Sequence, residues 1–170
     1  MKNVYVEHHV DPVVVLTNSR VTEVLLAKQE RLVMACGGKG LCATCHCYIT
    51  QGQDKLSVMT PRERQALQML ADRRPNSRLA CQAKVVGEGV KVELPQGRFI
   101  DSSGDLEQLI GRRATENILH PIDGAILIEA GKLITRTRVR ELNQVDVDVA
   151  EMRTMSLTID SQPKRWMPRM

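Results

Sequence analysis

Cysteine is the residue type that gives this 170-residue chain its chemistry: there are five, and Cys36, Cys42, Cys45 and Cys47 crowd into one short stretch. Cys36, Cys42 and Cys45 are separated by five and then two residues, and Cys81 follows after 35 more. A 2Fe-2S cluster needs four thiolates, two per iron, with bridging sulfides completing each tetrahedron. One loop can supply three of them, and the fourth has to arrive from a distant segment. Cys81, just after a predicted helix and before a predicted strand, is placed for that. Two other uses of the same thiols stand beside this one. Zinc generally takes paired knuckles from two segments, whereas here one segment offers three cysteines and the other one. Free cysteine is also often simply core.

The residues between the thiols suit a cluster. Gly37, Gly38 and Gly40 let the backbone turn its N–H groups inward toward sulfur. An oxidised cluster with four thiolates carries a formal charge of about −2, and about −3 once reduced, so such donors help set how readily it takes an electron. The stretch is not a phosphate loop, because the spacing and the Lys-Ser or Lys-Thr pair are absent. Cys47 reads as a packing residue of the strand that leaves the loop. His46 invites a Rieske reading, but that needs two histidines in paired Cys-x-His motifs, so a hydrogen bond holding the loop is its expected role. His8, His9 and His120 read as surface or satisfied residues, and Met59 and Met69 as core filler. No carboxylate pair, Ser-His-Asp set or Cys-His dyad stands out, so independent catalysis lacks support and the chain reads as no enzyme, at most a subunit of a larger oxidoreductase.

The elements that must position these thiols can be read from periodicity. Val4 and Val6, then Val13 to Leu16 beyond Asp11-Pro12, predict a two-stranded hairpin. Ser19 is a candidate cap for a short helix in which Val21, Val24, Leu25 and Lys28 recur. Tyr48 to Thr50 predicts a strand. Thr60, Pro61 and Glu63 form a strong helix start, with the glutamate able to reach back three residues, and the helix is expected to run to about Ala71 with Leu67, Leu70 and Ala66 inward. Val85, Val86, Val90 and Val92 predict closing strands, and Pro95 and Gly97 a boundary.

Beyond it, Asp101 to Gly104 reads as a linker and Leu106, Leu109 and Ile110 as a short helix. Ile126–Glu129 and Leu133–Thr135 flank Ala130-Gly131 as a hairpin, and Thr137–Leu142 makes one or two helical turns. Val145, Val147 and Val149 alternate with aspartates, and Met155–Ile159 predicts a strand. The last ten residues are expected to be mobile. The expected organisation is thus an α+β chain with a unit at 1–97 and an extension at 98–170.

Composition narrows the function classes. An apolar share of 42% excludes a wholly disordered chain, while an aromatic share of 2% leaves few rings to stack nucleic-acid bases. Net charge is +4, with 13 Lys and Arg against 9 acids in residues 1–95 and 11 against 11 after them, in no dense basic block, so nucleic-acid binding is not indicated. No transmembrane run and no greasy leader are visible, and crowded cysteines read as metal ligands in a reducing compartment, so the expected location is cytoplasmic.

The segments Cys36-Gly-Gly-Lys-Gly-Leu-Cys42-Ala-Thr-Cys45-His46, the helix from Thr60, and Arg78-Leu-Ala-Cys81-Gln82 together resemble the adrenodoxin-like branch of the 2Fe-2S ferredoxins, over about residues 1–95. The resemblance implies a β-grasp fold and one 2Fe-2S cluster, with Cys36 and Cys42 on one iron and Cys45 and Cys81 on the other. It also implies single-electron shuttling between a reductase and an acceptor protein. The alternative is a redox-sensing or assembly factor whose cluster regulates docking of the extension to a larger complex. Where that family usually presents an acidic helix to its partners, this chain has Arg62, Arg64, Arg73 and Arg74 against Glu63 and Asp72, which makes a basic docking patch a candidate. From Gly111-Arg112 through Gly124, Gly131, Ile134-Thr135 and Leu142, the extension resembles a small hairpin module of the large subunits of bacterial RNA polymerase, taken here as a structural unit. Cys36 to Cys45 is expected on an exposed loop.

Overall fold

The computed structural model describes residues 1–161, with side chains to Met155, so residues 162–170, on which most of the expected mobile end falls, lie outside the described residues. Val4 and Val6 point into the core from β1 (Lys2–Val6), which pairs antiparallel with β2 (Val13–Val15) as the expected hairpin. α1 (Val21–Ala27) buries Val21, Val24 and Leu25. Its N-cap is Arg20 rather than Ser19: Glu23 Oε1 accepts from the Arg20 N–H at 3.0 Å, so the carboxylate of the first turn does the capping.

After the cysteine loop come β3 (His46–Gln51), a 3-10 turn at Gln53–Lys55, and α2 (Pro61–Gln68), then β4 (Ser77–Leu79) and β5 (Val90–Glu93). The five strands form one sheet in the order β2-β1-β5-β3-β4. β1 and β5 run parallel in its middle while the other pairs are antiparallel, the β-grasp arrangement. Thr60 caps α2 as expected, accepting from the Glu63 N–H at 3.2 Å. The helix nevertheless stops short of Ala71. The Ala71 N–H is taken by the Asp123 carbonyl at 2.8 Å and Asp72 is held by Tyr48, so the chain has left the helical path. The side chain of Glu63 does not reach back to the cap either, because it is wholly buried against Arg78. β4 was invisible in the pattern: all three of its residues are buried, so nothing alternates.

The second part contains β6 (Arg98–Phe99), α3 (Gly104–Glu107), β7 (Ile118–Leu119), β8 (Ile126–Ile128), α4 (Arg136–Glu141) and α5 (Asn143–Ser161). β6 pairs parallel with β7, and β7 antiparallel with β8. Two expectations fail here. The Ile126–Thr135 hairpin does not close, because residues 131–134 pair with 111–114 instead: Ile134 donates to Arg112 O and Ala114 to Lys132 O, both at 2.9 Å. The valine alternation and the Met155–Ile159 segment belong to one long helix, not to strands. Val145, Val149 and Met152 are at most 5% exposed and lie on one helical face, whereas Val147 is 48% exposed. Among the described residues no helix is long and apolar enough to cross a membrane.

Two hydrophobic clusters result. One gathers Val4, Val24, Leu25, Ile49, Leu67, Val90 and Val92 together with Cys45, Cys47 and Cys81. The other gathers Ile100, Leu106, Ile118, Ile134, Val145 and Val149 of the second part together with Ala35, Cys36 and Cys42 of the loop.

Candidate metal centre

Each of the four expected ligands is buried, and they stand as two sulfur pairs. The loop supplies Cys36, Cys42 and Cys45; Cys81 comes from the turn after β4, whose pairing with β3 brings it beside Cys45. The Cys42 thiol donates to Cys36, and this hydrogen bond, opposed by burial and helped by backbone N–H groups of Leu41, Lys39 and Cys42, holds Cys36 down to about 5. In the other pair the hydrogen bond from Cys45 holds Cys81 down to about 7. Their partners Cys42 and Cys45 are pushed up, first as donors and then by burial. Among the described residues no three His, Cys, Asp or Glu side chains converge on a point that would hold a lone metal ion. A mononuclear zinc site is not what the geometry presents; paired thiols suit a binuclear centre.

Donors surround the sulfurs. Gly37, Gly38 and Gly40 all have φ between 65° and 79°, the left-handed region that glycine enters without strain. At Gly40 the need is doubled, because a Cβ there would sit 3.0 Å from the Gln82 side chain. The Gly40 backbone N–H points at Cys81. Gln82 Nε2 donates to Cys81 Sγ at 3.4 Å and to Gly38 O at 3.1 Å, tying the two segments together. Thr44 Oγ1 lies 3.0 Å from Cys42 Sγ and accepts from the Ala35 N–H at 3.4 Å. Neither Gln82 nor Thr44 was assigned a role by sequence reasoning. The only signal for either was its place next to, or between, the cysteines. Buried thiolates ringed by N–H donors fit an anionic iron-sulfur centre, which is stabilised by such dipoles.

The support behind the loop is a polar network. His46 bonds Ser77 Oγ at 2.9 Å, the holding role expected of it, and packs edge-on against Tyr48 with ring centroids 4.7 Å apart. Burial, partly offset by Asp72, keeps the imidazole neutral by lowering it to about 4. Cys47 is fully buried with its thiol on Arg78 O at 3.6 Å, and burial pushes it up to about 12. Arg78 meets the buried Glu63 through two bonds of 2.7 and 3.1 Å, and Glu63 also accepts from the Leu79 N–H at 2.9 Å. That pair fixes α2 to the strand that precedes Cys81.

The loop is not the exposed feature expected. Ala43 donates to Pro121 O at 2.8 Å, and Arg153 Nε donates to Ala35 O at 3.3 Å while its Nη2 holds Asp101 at 2.7 Å. The second part therefore lies across one flank of the loop. The expected arginine patch also divides. Arg62 reaches the loop at Lys39 O, whereas Arg74, beyond the end of α2, stacks over the Tyr48 ring at 4.0 Å and pairs with Asp72.

The 2Fe-2S iron-sulfur cluster binding domain model matches residues 10–86. A 2Fe-2S ferredoxin of Escherichia coli (strain K12) is 39% identical over 62 residues, covering 36% of this chain and 56% of the relative, so the chain spans little more than half of that protein's length. Putidaredoxin of Pseudomonas putida is 40% identical over 72 residues, covering 40% of this chain and 67% of the relative. A 2Fe-2S ferredoxin of Buchnera aphidicola (subsp. Acyrthosiphon pisum, strain APS) is 33% identical over 79 residues, covering 46% and 71%. Among solved structures, an ISC-like [2Fe-2S] ferredoxin from Pseudomonas putida JCM 20004 superposes with a TM-score of 0.52 at 29% identity, covering 56% of this chain and 93% of the other. The chain belongs to the 2Fe-2S ferredoxins, in the adrenodoxin-like group, and its cofactor is one 2Fe-2S cluster.

Proposed function

We propose that Cys36, Cys42, Cys45 and Cys81 hold the cluster, the first two on one iron and the last two on the other, and that the chain carries single electrons between a reductase and an acceptor protein. The observation that carries this reading is the convergence of four buried sulfurs as two hydrogen-bonded pairs beneath an N–H-rich glycine loop. When bound, the cluster accepts and returns one electron. The residues of the chain do the rest. Gln82, Thr44 and the loop amides face the sulfurs with positive dipole ends, which favours the added negative charge of the reduced state. The buried flanks of the loop keep water from the sulfurs.

We also take residues 1–97 as the carrier unit and 98–170 as a second unit. Two hydrophobic clusters, one made of residues before 97 and one mostly of residues after it that also takes in Ala35, Cys36 and Cys42, support this division. A reducing, cytoplasmic setting suits five buried thiols with no disulfide among them. The test is spectroscopic. The purified full chain is expected to be brown-red, to contain two irons, and to lose its visible absorption in Cys81→Ser. Colourless protein with stoichiometric zinc would reject the reading.

A further inference from the structure

Most of the cysteine loop is covered. Between Ala35 and Cys45 the exposed residue is Gly37, and Met34 beside it is 37% exposed. Two exposed arginines from different helices meet this opening. A Cβ placed on Gly38 would lie 3.9 Å from Arg20 Nη1 and also 3.9 Å from Cys81 Cβ, while Arg62 Nη1 donates to Lys39 O at 3.3 Å. Arg20, the N-cap of α1, and Arg62, in the first turn of α2, thus both reach the short tip Gly37–Lys39. The acids nearby are turned to other work. Glu23 accepts from the backbone of Arg20, and Glu63 is buried against Arg78. Asp148 and Glu151 share with Arg62 the apolar groove between α2 and α5.

We propose that the Gly37–Lys39 tip is the window through which the site exchanges electrons, and that the partner surface meeting it is rich in carboxylates. This rests on the ligand assignment above. Electron transfer needs close approach, and the tip is where the chain offers it: Gly37 and Gly38 carry no side chain to hold a partner away, and the backbone of Gly38 lies next to Cys81. The two guanidiniums supply the sign of the encounter, since exposed charge clustered at a contact steers an oppositely charged partner and fixes its register. An acidic partner face is the complement of this rim.

The test uses the cluster-loaded full chain, reduced anaerobically and mixed with ferricyanide or with tris(phenanthroline)cobalt(III). Each reagent takes one electron from the protein, giving ferrocyanide or the cobalt(II) complex, with no proton or bond change in the chain. Arg20→Glu/Arg62→Glu is expected to slow oxidation by anionic ferricyanide about tenfold at low ionic strength and to speed oxidation by the cationic complex, with both effects shrinking as salt rises. The control Arg136→Glu/Arg140→Glu, which changes net charge equally, is expected to move both rates less than about twofold, and Arg20→Gln/Arg62→Gln to fall between. A labelled deca-glutamate peptide, followed by anisotropy, should bind more weakly to the first variant than to the control, whatever the redox state. Equal responses of the two double variants in rates or in peptide binding would overturn the window. Full visible absorption and two irons retained in Cys81→Ser would instead overturn the ligand assignment beneath it.

Discussion

The two parts of the molecule build their cores from similar residues but lean on the cysteine loop in different ways. In the first, valines alternate along β1 and β5 and pack into a core that also takes in Cys45 and Cys81. In the second, strands of two or three residues and the face of α5 close around Cys36 and Cys42. Each sulfur pair therefore belongs to a different core. The loop lies where the two hydrophobic clusters meet, and the second part covers one of its flanks.

That comparison can be broken from either side. The largest effect is expected from the first part: Glu63→Ala leaves Arg78 buried without its carboxylate, at a cost of about 3 to 5 kcal/mol, measurable by denaturant unfolding. It should loosen Cys81 as well, since the Leu79 N–H loses its acceptor. On the other side, Val149→Asp puts a charge at a position 3% exposed in the second core and should cost about 2 to 4 kcal/mol there. Its signature is faster hydrogen exchange at the Ala43 and Ala71 amides, which donate to Pro121 and Asp123, with the amides of β1 and β5 unchanged. If all amides accelerate together, the two cores are one cooperative unit.

Two smaller substitutions sharpen the picture at the junction. Gly97 has φ 128°, and a Cβ there would lie 2.9 Å from Asn117 O, a backbone atom that cannot swing away. Gly97→Ala is expected to cost about 2 kcal/mol and to disturb the β6–β7 pairing. Gly89→Ala, at φ 80° but facing open space, should cost about 1 kcal/mol from backbone strain alone, so the difference between their denaturation midpoints isolates the steric contact. The smallest effect belongs to Arg153→Ala. The side chain is 53% exposed, so losing its bonds to Asp101 and Ala35 should change stability by less than about 1 kcal/mol. Exchange at neighbouring loop amides would show it sooner than a melting curve.

The first part was legible because its signals are local. Cysteine spacing, glycine placement, the Thr60-Pro61 start and the valine alternation each follow from short-range geometry, and the structure forms the elements they imply. Where reasoning failed, a distant partner had won. Glu63 left its capping position for Arg78, and residues 131–134 left the expected hairpin for 111–114. The valines of α5 satisfied a two-residue and a helical period at once, and only packing into the second core, which takes in Val145 and Val149, selects between them.

The sequence by itself determined that three cysteines with glycines among them lie in one loop and that a fourth stands far down the chain, the pattern of a 2Fe-2S domain, because ligand count and backbone freedom are properties of residue type and spacing. Tertiary structure alone decided that this loop is covered on one flank and open at Gly37–Lys39, that Arg62 faces it while Arg74 lies on Tyr48, and that Gln82 ties its two segments together. Exposure and long-range pairing depend on what else packs nearby, and a local pattern carries no record of that.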